Sequence, residues 1–200
     1  ILSLSKSYED LRERLGRIIV AESNSGTPVT AEEIGAAGSM ALLLREAMLP
    51  NLVQTLEGNP AFVHCGPFAN IAHGNSSIIA DELALSRSDY VVTEAGFGAE
   101  MGAEKALHIK ALASGIFPSC IVLNVTVRSM KLHGGGVAGG GGSRPTKEEI
   151  ETENVEAVRL GASSNLRRHV KNLVATSIPV VVSVNRLSLI HISEPTRRYR

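Results

Sequence analysis

Short apolar runs alternate with helix-patterned stretches through most of this chain, and that alternation restricts the fold more than any other feature. The runs are residues 61–63, 90–93, 120–127 and 180–185, and helical patterns lie between them at 76–87, 102–114 and 165–175. In the last of these, Leu166, Val170, Leu173 and Val174 share one helical face, with Arg167, Arg168 and Lys171 off it. Continuous apolar strands separated by helices predict an α/β fold, a mostly parallel sheet flanked by helices. In such sheets ligands bind at the carboxyl ends of the strands. Those ends are therefore where chemistry is expected.

The region before residue 58 reads as a helical or mixed segment adjoining this core. Residues 8–20 pattern as a short helix running into a strand. Thr30 stands three residues before Glu33, a capping-box spacing, ahead of an Ala/Leu-rich helix over 31–49 that Pro50 ends. A second helical piece over 51–56 leads to the turn Gly58-Asn59-Pro60. Residues 58–186 read as the α/β core. Residues 187–200, which open with LSLIHISEPTR, read as a non-native tail, one frame of a sequencing adapter, and carry no fold information.

Charge excludes some partners. Twenty Lys and Arg balance twenty Asp and Glu, so nothing global draws the chain to nucleic acid or to an anionic membrane. No apolar run reaches transmembrane length. Cys65 and Cys120 are far apart and in no metal-type spacing, which reads as reduced, mostly buried thiols of a cytoplasmic protein.

Four strand ends carry polar groups. After 61–63 comes HCGPFANIAHGNSS, residues 64–77. Gly66 and Gly74 permit sharp turns, and Asn75, Ser76 and Ser77 stand where a helix should begin; that helix N-terminus suits an anion, or Asn75 or Ser76 is simply its cap. After 90–92 comes TEAGFGAE, residues 93–100. Glu94 closes an apolar strand with a carboxylate, the general arrangement of a Walker-B-type acid. Phe97, between Gly96 and Gly98, is either an exposed pocket wall or a core ring in a tight turn. The third strand end offers Arg128, Lys131 and His133 for an anion, or as ordinary surface groups. The fourth ends at Asn185, a weak candidate for a nucleotide-base contact. The glycine-rich residues 134–142 lack a following Lys-Ser or Lys-Thr and read as a mobile loop. No G-x-x-x-x-G-K-[ST] occurs in the 200 residues, so a P-loop phosphate site is absent from this chain.

Several long motifs, in one order, carry a family resemblance. PAFVHCGPFANIAHGNSS (60–77) and DYVVTEAGFGAEMGAEK (89–105) resemble formate–tetrahydrofolate ligase, as do TVRSMKLHGG (126–135), the SNLRRHV region (164–170) and IPVVVSVNR (178–186). The resemblance implies an incomplete P-loop NTPase-like core and an ATP-dependent carbon–nitrogen ligase of one-carbon metabolism. Its substrates would be formate, tetrahydrofolate and ATP, joined through formyl phosphate. Mg²⁺, a monovalent cation (K⁺ or NH₄⁺) and a homotetramer are implied for the parent protein. By matching motifs, Phe97, Gly96 and Gly98 would line the folate or formyl-phosphate pocket. His73 and Asn75 would face the reacting groups, Glu94 would act near Mg²⁺ or phosphate, and Arg128 would support the anion. The chain departs from the family pattern at Ala106 after Lys105 and at Ala111-Leu112 after Lys110. A P-loop-like ATPase or partner-binding module of the same fold, without ligase chemistry, is the alternative reading. A truncated, inactive product is a third.

Overall fold

The computed structural model describes residues 1–65, 73–135 and 146–185. It divides into two compact units, Ile1–Phe117 and Pro118–Arg200.

In the first unit, a 3₁₀ turn, Leu2–Leu4, precedes α1, Tyr8–Gly16, whose N-terminus is capped by the Ser7 hydroxyl. Ser7 accepts from the Asp10 N–H, satisfying one orphan helical donor. The hairpin β1, Ile19–Glu22, and β2, Pro28–Thr30, follows and is antiparallel. Next come α2, Ala37–Leu43, and a 3₁₀ turn, Glu46–Met48. Leu11 and Leu15 of α1 pack on Ala41 and Met48, with Leu2, Tyr8 and Ile18 around them, and this is the unit's apolar core.

A second antiparallel hairpin pairs β3, Asn51–Gln54, with β4, Pro60–Val63. Then comes α3, Ile78–Leu85. The unit closes with one continuous helix: α4, Gly102–Lys105, a π-helical stretch, Ala106–Ala111, and α5, Leu112–Ser114.

The second unit holds the parallel pair. β5, Ile121–Thr126, and β6, Val180–Asn185, align in register from Ile121 beside Val180 to Thr126 beside Asn185. Thr126 also caps α6, Val127–His133, by accepting from the Ser129 N–H. Beyond it lie α7, Lys147–Glu151, and α8, Val155–Gly161. A π-helical stretch, Ala162–Leu166, leads into α9, Arg167–Val174. Gly134 and Gly161 let α6 and α8 meet backbone to backbone, at the carbonyls of Ala157 and Met130. Leu173 is buried, while Arg167, Arg168 and Lys171 face outward as their spacing predicts.

Several sequence expectations need correction. Among the described residues the fold is mixed helix with small sheets, each two-stranded, and only β5–β6 is parallel. Residues 51–54 are a strand rather than a helix, because the turn at Gly58 folds them back onto 60–63. The Thr55 N–H bonds to the Asn59 carbonyl at 2.9 Å across that loop. Residues 61–63 are thus a hairpin arm, not a parallel strand. Residues 90–93 have no ladder partner among the described residues, with Tyr90 and Val92 at 91% and 96% exposure.

The helix expected over 31–49 is broken. The Thr30–Glu33 box does form, with bonds of 2.6 and 3.3 Å, but it closes a turn, and helix begins only at Ala37. The strand expected over 120–127 runs Ile121–Thr126, and Val127 already belongs to the helix that follows. Cys65 is half-buried and Cys120 exposed, so the expectation of mostly buried thiols fails at Cys120. Gly66, most of the glycine-rich 134–142 and the tail 187–200 lie outside the described residues. Among the described residues, no helix is long and apolar enough to cross a membrane.

Candidate functional site

The turn before α3 is fixed by two histidines. His64 is buried. Its Nε2 donates to the Ala47 carbonyl at 2.7 Å, so Nδ1 accepts from the Ser77 hydroxyl at 2.6 Å. Ser77 in turn accepts from the Ala80 N–H at 3.0 Å and is the cap of α3. His73 repeats this logic. A carbonyl only accepts, so Nε2 carries the proton toward Ser76 O at 3.0 Å, and Nδ1 accepts from the Ser3 hydroxyl at 3.0 Å. Both ring nitrogens are engaged, so the imidazole orients the turn.

Burial lowers the His73 pKa. The Lys110 ammonium and the chain's α-ammonium add to this, while the bond to Ser76 and the Asp81 charge oppose it. The folded state therefore prefers the neutral ring. That contribution to stability is complete above the unfolded value of about 6.5 and is lost as the pH falls through the lower folded value. Denaturant unfolding of the chain should show its midpoint falling with acidification below about pH 6.5, and His73→Gln should flatten that segment of the profile. An unchanged slope in the variant would remove His73 as its source.

Asn75 is 8% exposed, and its Oδ1 has no donor among the described residues. A buried acceptor in that state costs about 1–3 kcal/mol.

The second motif folds directly onto this turn. The Gly96 N–H donates to the Gly74 carbonyl at 2.9 Å. Gly74 has φ of +113°, and a Cβ there would stand 2.5 Å from the Ala106 nitrogen and 2.8 Å from the Gly102 carbonyl. A Cβ on Gly102 would run into the backbone of Gly96. The two walls touch because Gly74 and Gly102 carry no Cβ. Phe97 projects from this corner at 78% exposure, so it is not a core ring. Glu94 is also exposed. His73, Asn75, Glu94, Gly96, Phe97 and Gly98 thus belong to one unit, all six on the two segments joined at Gly74–Gly96.

Arg128 and Asn185 belong to the other unit. Asn185 ends β6 beside Thr126, and Arg128 is exposed in the first turn of α6. Lys131 is not open to a phosphate, since its buried ammonium donates to the carbonyls of Glu149 and Thr152 at the end of α7.

One pair escaped the sequence reading. Asp81 of α3 and Lys110 of the π-helical stretch form an ion pair with side chains 14% and 4% exposed. The available signal was Lys110 sharing a helical face with the apolar Leu107 and Ala111, all three buried.

The motifs gathered at Gly74–Gly96 can now be set beside known proteins. A family model described as formate–tetrahydrofolate ligase matches residues 1–194. This chain belongs to that family. A formate–tetrahydrofolate ligase of Desulforamulus reducens is 51% identical over 190 residues, 94% of this chain and 33% of the relative. One of Granulibacter bethesdensis is 53% identical over 188 residues, 94% of this chain and 31% of the relative. A human protein named C-1-tetrahydrofolate synthase, cytoplasmic, is 52% identical over 188 residues, 92% of this chain and 20% of the relative. The ligase-family chain spans about a third or less of the length of these curated relatives.

The ligase family's implied Mg²⁺ can be tested against the residues present. Among the described residues no three His, Cys, Asp or Glu side chains converge on a metal. Mg²⁺ with a nucleotide commonly takes only one or two carboxylates, the rest of its shell being water and phosphate oxygens. The exposed carboxylate of Glu94 fits that smaller demand.

Proposed function

We propose that this chain is an internal part of an ATP-dependent ligase that joins formate to tetrahydrofolate, giving 10-formyltetrahydrofolate, ADP and phosphate. The observation that carries the reading is the Gly74–Gly96 junction, which joins the two most specific family motifs in one corner with an exposed Phe97. Formate is a poor acylating agent. A formate oxygen attacks the γ-phosphorus of ATP, the bond to the β–γ bridging oxygen breaks, and ADP leaves. The folate amine then attacks the carbonyl of formyl phosphate, inorganic phosphate departs with the C–O bond's electrons, and the amine loses a proton. Protein in such a reaction mainly positions reactants and balances charge.

In this scheme Phe97 offers a flat apolar face to the pterin or benzoyl ring, and Gly96 and Gly98 let the ring approach the backbone. Asn75 supplies a buried acceptor for an N–H of tetrahydrofolate; formate, as a carboxylate, offers no such donor. His73 keeps the turn in register. Arg128 supports the anion, Glu94 would hold Mg²⁺, which when bound offsets phosphate charge, and Asn185 is a weaker candidate for the nucleotide base. Residues 58–186 are assigned to a P-loop NTPase-like core; the parallel β5–β6 pair, with Arg128 and Asn185 at its carboxyl end, supports that assignment. K⁺ or NH₄⁺ activation, a homotetramer and a cytoplasmic site complete the reading of the parent protein.

Formate- and tetrahydrofolate-dependent ADP release by the full-length parent tests the activity. In that protein Phe97→Ala should raise KM for tetrahydrofolate about tenfold or more, with KM for ATP unchanged. Unaltered kinetics would take Phe97 out of the site.

A further inference from the structure

The buried Asp81–Lys110 pair lies outside every role assigned above. We propose that it is a positioning device, a latch that sets the angle between the two walls of the candidate folate site. The proposal rests on the reading given under Proposed function.

The connectivity gives the reason. Asp81 sits one turn into α3, where its N–H bonds to the carbonyl of the capping residue Ser77 at 3.1 Å. It therefore moves with the turn that carries His73 and Asn75. Lys110 sits in the helix that begins at Gly102, and Gly102 rests on Gly96. It therefore moves with the wall that carries Phe97. At one end the two walls meet at Gly74, whose carbonyl accepts from the Gly96 N–H and whose backbone lies against Ala106 and Gly102. Contacts gathered at one residue resist a swing less than contacts spread along both helices. The ion pair supplies a second point, farther along both helices, and two points fix the angle.

Stability alone is a weak reason for such a pair. Desolvating both charges costs several kcal/mol per ion, and apolar replacements of similar volume are often neutral or better. What a buried pair does supply is register, because neither charge tolerates a shift away from the other. Lys110 also sits in a π-helical stretch, a departure from regular helix that is frequent where a side chain must be aimed.

The test uses the full-length ligase with Asp81→Asn, Lys110→Met, the two combined, Lys110→Arg, and the swap Asp81→Lys with Lys110→Asp. Each single neutralisation should raise KM for tetrahydrofolate roughly ten- to a hundredfold and leave KM for ATP unchanged, and Lys110→Arg should restore part of the loss. Independently of activity, amide exchange at Gly96 should accelerate about tenfold or more in both, because its bond to Gly74 opens more often. A merely structural pair would lower the thermal midpoint and the amount of active enzyme with KM for tetrahydrofolate and Gly96 exchange unmoved, and that result overturns the proposal. If Lys110→Met does not fold, the double variant, which leaves no unpaired buried charge, decides by the same readouts. A full-length wild type without folate-dependent ADP release would refute the functional reading instead, and the exchange of Gly96 still judges the latch.

Discussion

Alanine at Gly74 in the full-length ligase is expected to cut kcat/KM for tetrahydrofolate by a hundredfold or more, as roughly expected for a displacement near 1 Å. Two costs combine. The φ of +113° lies where side-chain-bearing residues are rarely found, a strain of about 1–3 kcal/mol. The added methyl would also stand 2.5 Å from the Ala106 nitrogen, which is backbone and cannot swing aside as a side chain can. Such overpacking typically costs about 1–3 kcal/mol. Together these reach about 2–6 kcal/mol, a large share of the roughly 5–15 kcal/mol that holds a domain folded, so relief comes by parting the walls. The Gly96–Gly74 bond is then lost, and Phe97 moves away from Asn75. Gly102→Ala should have a similar effect from the opposite wall, since its methyl meets Gly96. Steady-state kinetics against a thermal melt separates the outcomes. Wild-type KM values in a folded Gly74→Ala protein would sink the claim that this junction builds the site.

Some of this was legible in the sequence for definite physical reasons. The β5 and β6 runs are apolar and rich in Val and Ile, and they pair in parallel as that composition predicts. The helices over 76–87, 102–114 and 165–175 were visible from periodicity, and the start of α3 was placed at 75–77, although its cap is Ser77 rather than Asn75 or Ser76. The hairpin β3–β4 was hidden because four residues are too few to tell a strand from a helical turn. Only the pairing across Gly58 decides it. Residues 90–93 look like a strand in composition, but a strand exists only when a neighbour bonds to it. The two site motifs could be read singly, while their contact could not. It depends on Gly74, Gly96 and Gly102 meeting in space, and nothing local in the sequence announces that. Lys110 stayed hidden for a related reason: a lone Lys in a helix reads as solvated until its distant partner Asp81 is placed beside it.

The second large effect concerns the 200-residue chain itself: it is expected to release no ADP in response to formate and tetrahydrofolate, whereas the full-length parent is expected to do so. Phosphoryl transfer needs a cradle of backbone N–H groups and a lysine around the β- and γ-phosphates. The G-x-x-x-x-G-K-[ST] pattern that builds one does not occur in these residues. The surface argues the same way. A parallel sheet is ordinarily covered on both faces, yet Val122 of β5 and Val181, Val182 and Val184 of β6 are exposed, as are, separately, Tyr90 and Val92 in the other unit. Apolar surface of this kind marks a face that meets another part of a protein. The isolated chain should therefore bind a hydrophobic fluorescent dye strongly, and the full-length ligase should bind it weakly. Both readouts come from one pair of purified proteins. Formyltetrahydrofolate made by the 200-residue chain from formate and ATP would show that these strand ends already contain a complete phosphate site. The ligase reading would then stand, with its phosphate-binding residues sought around Arg128.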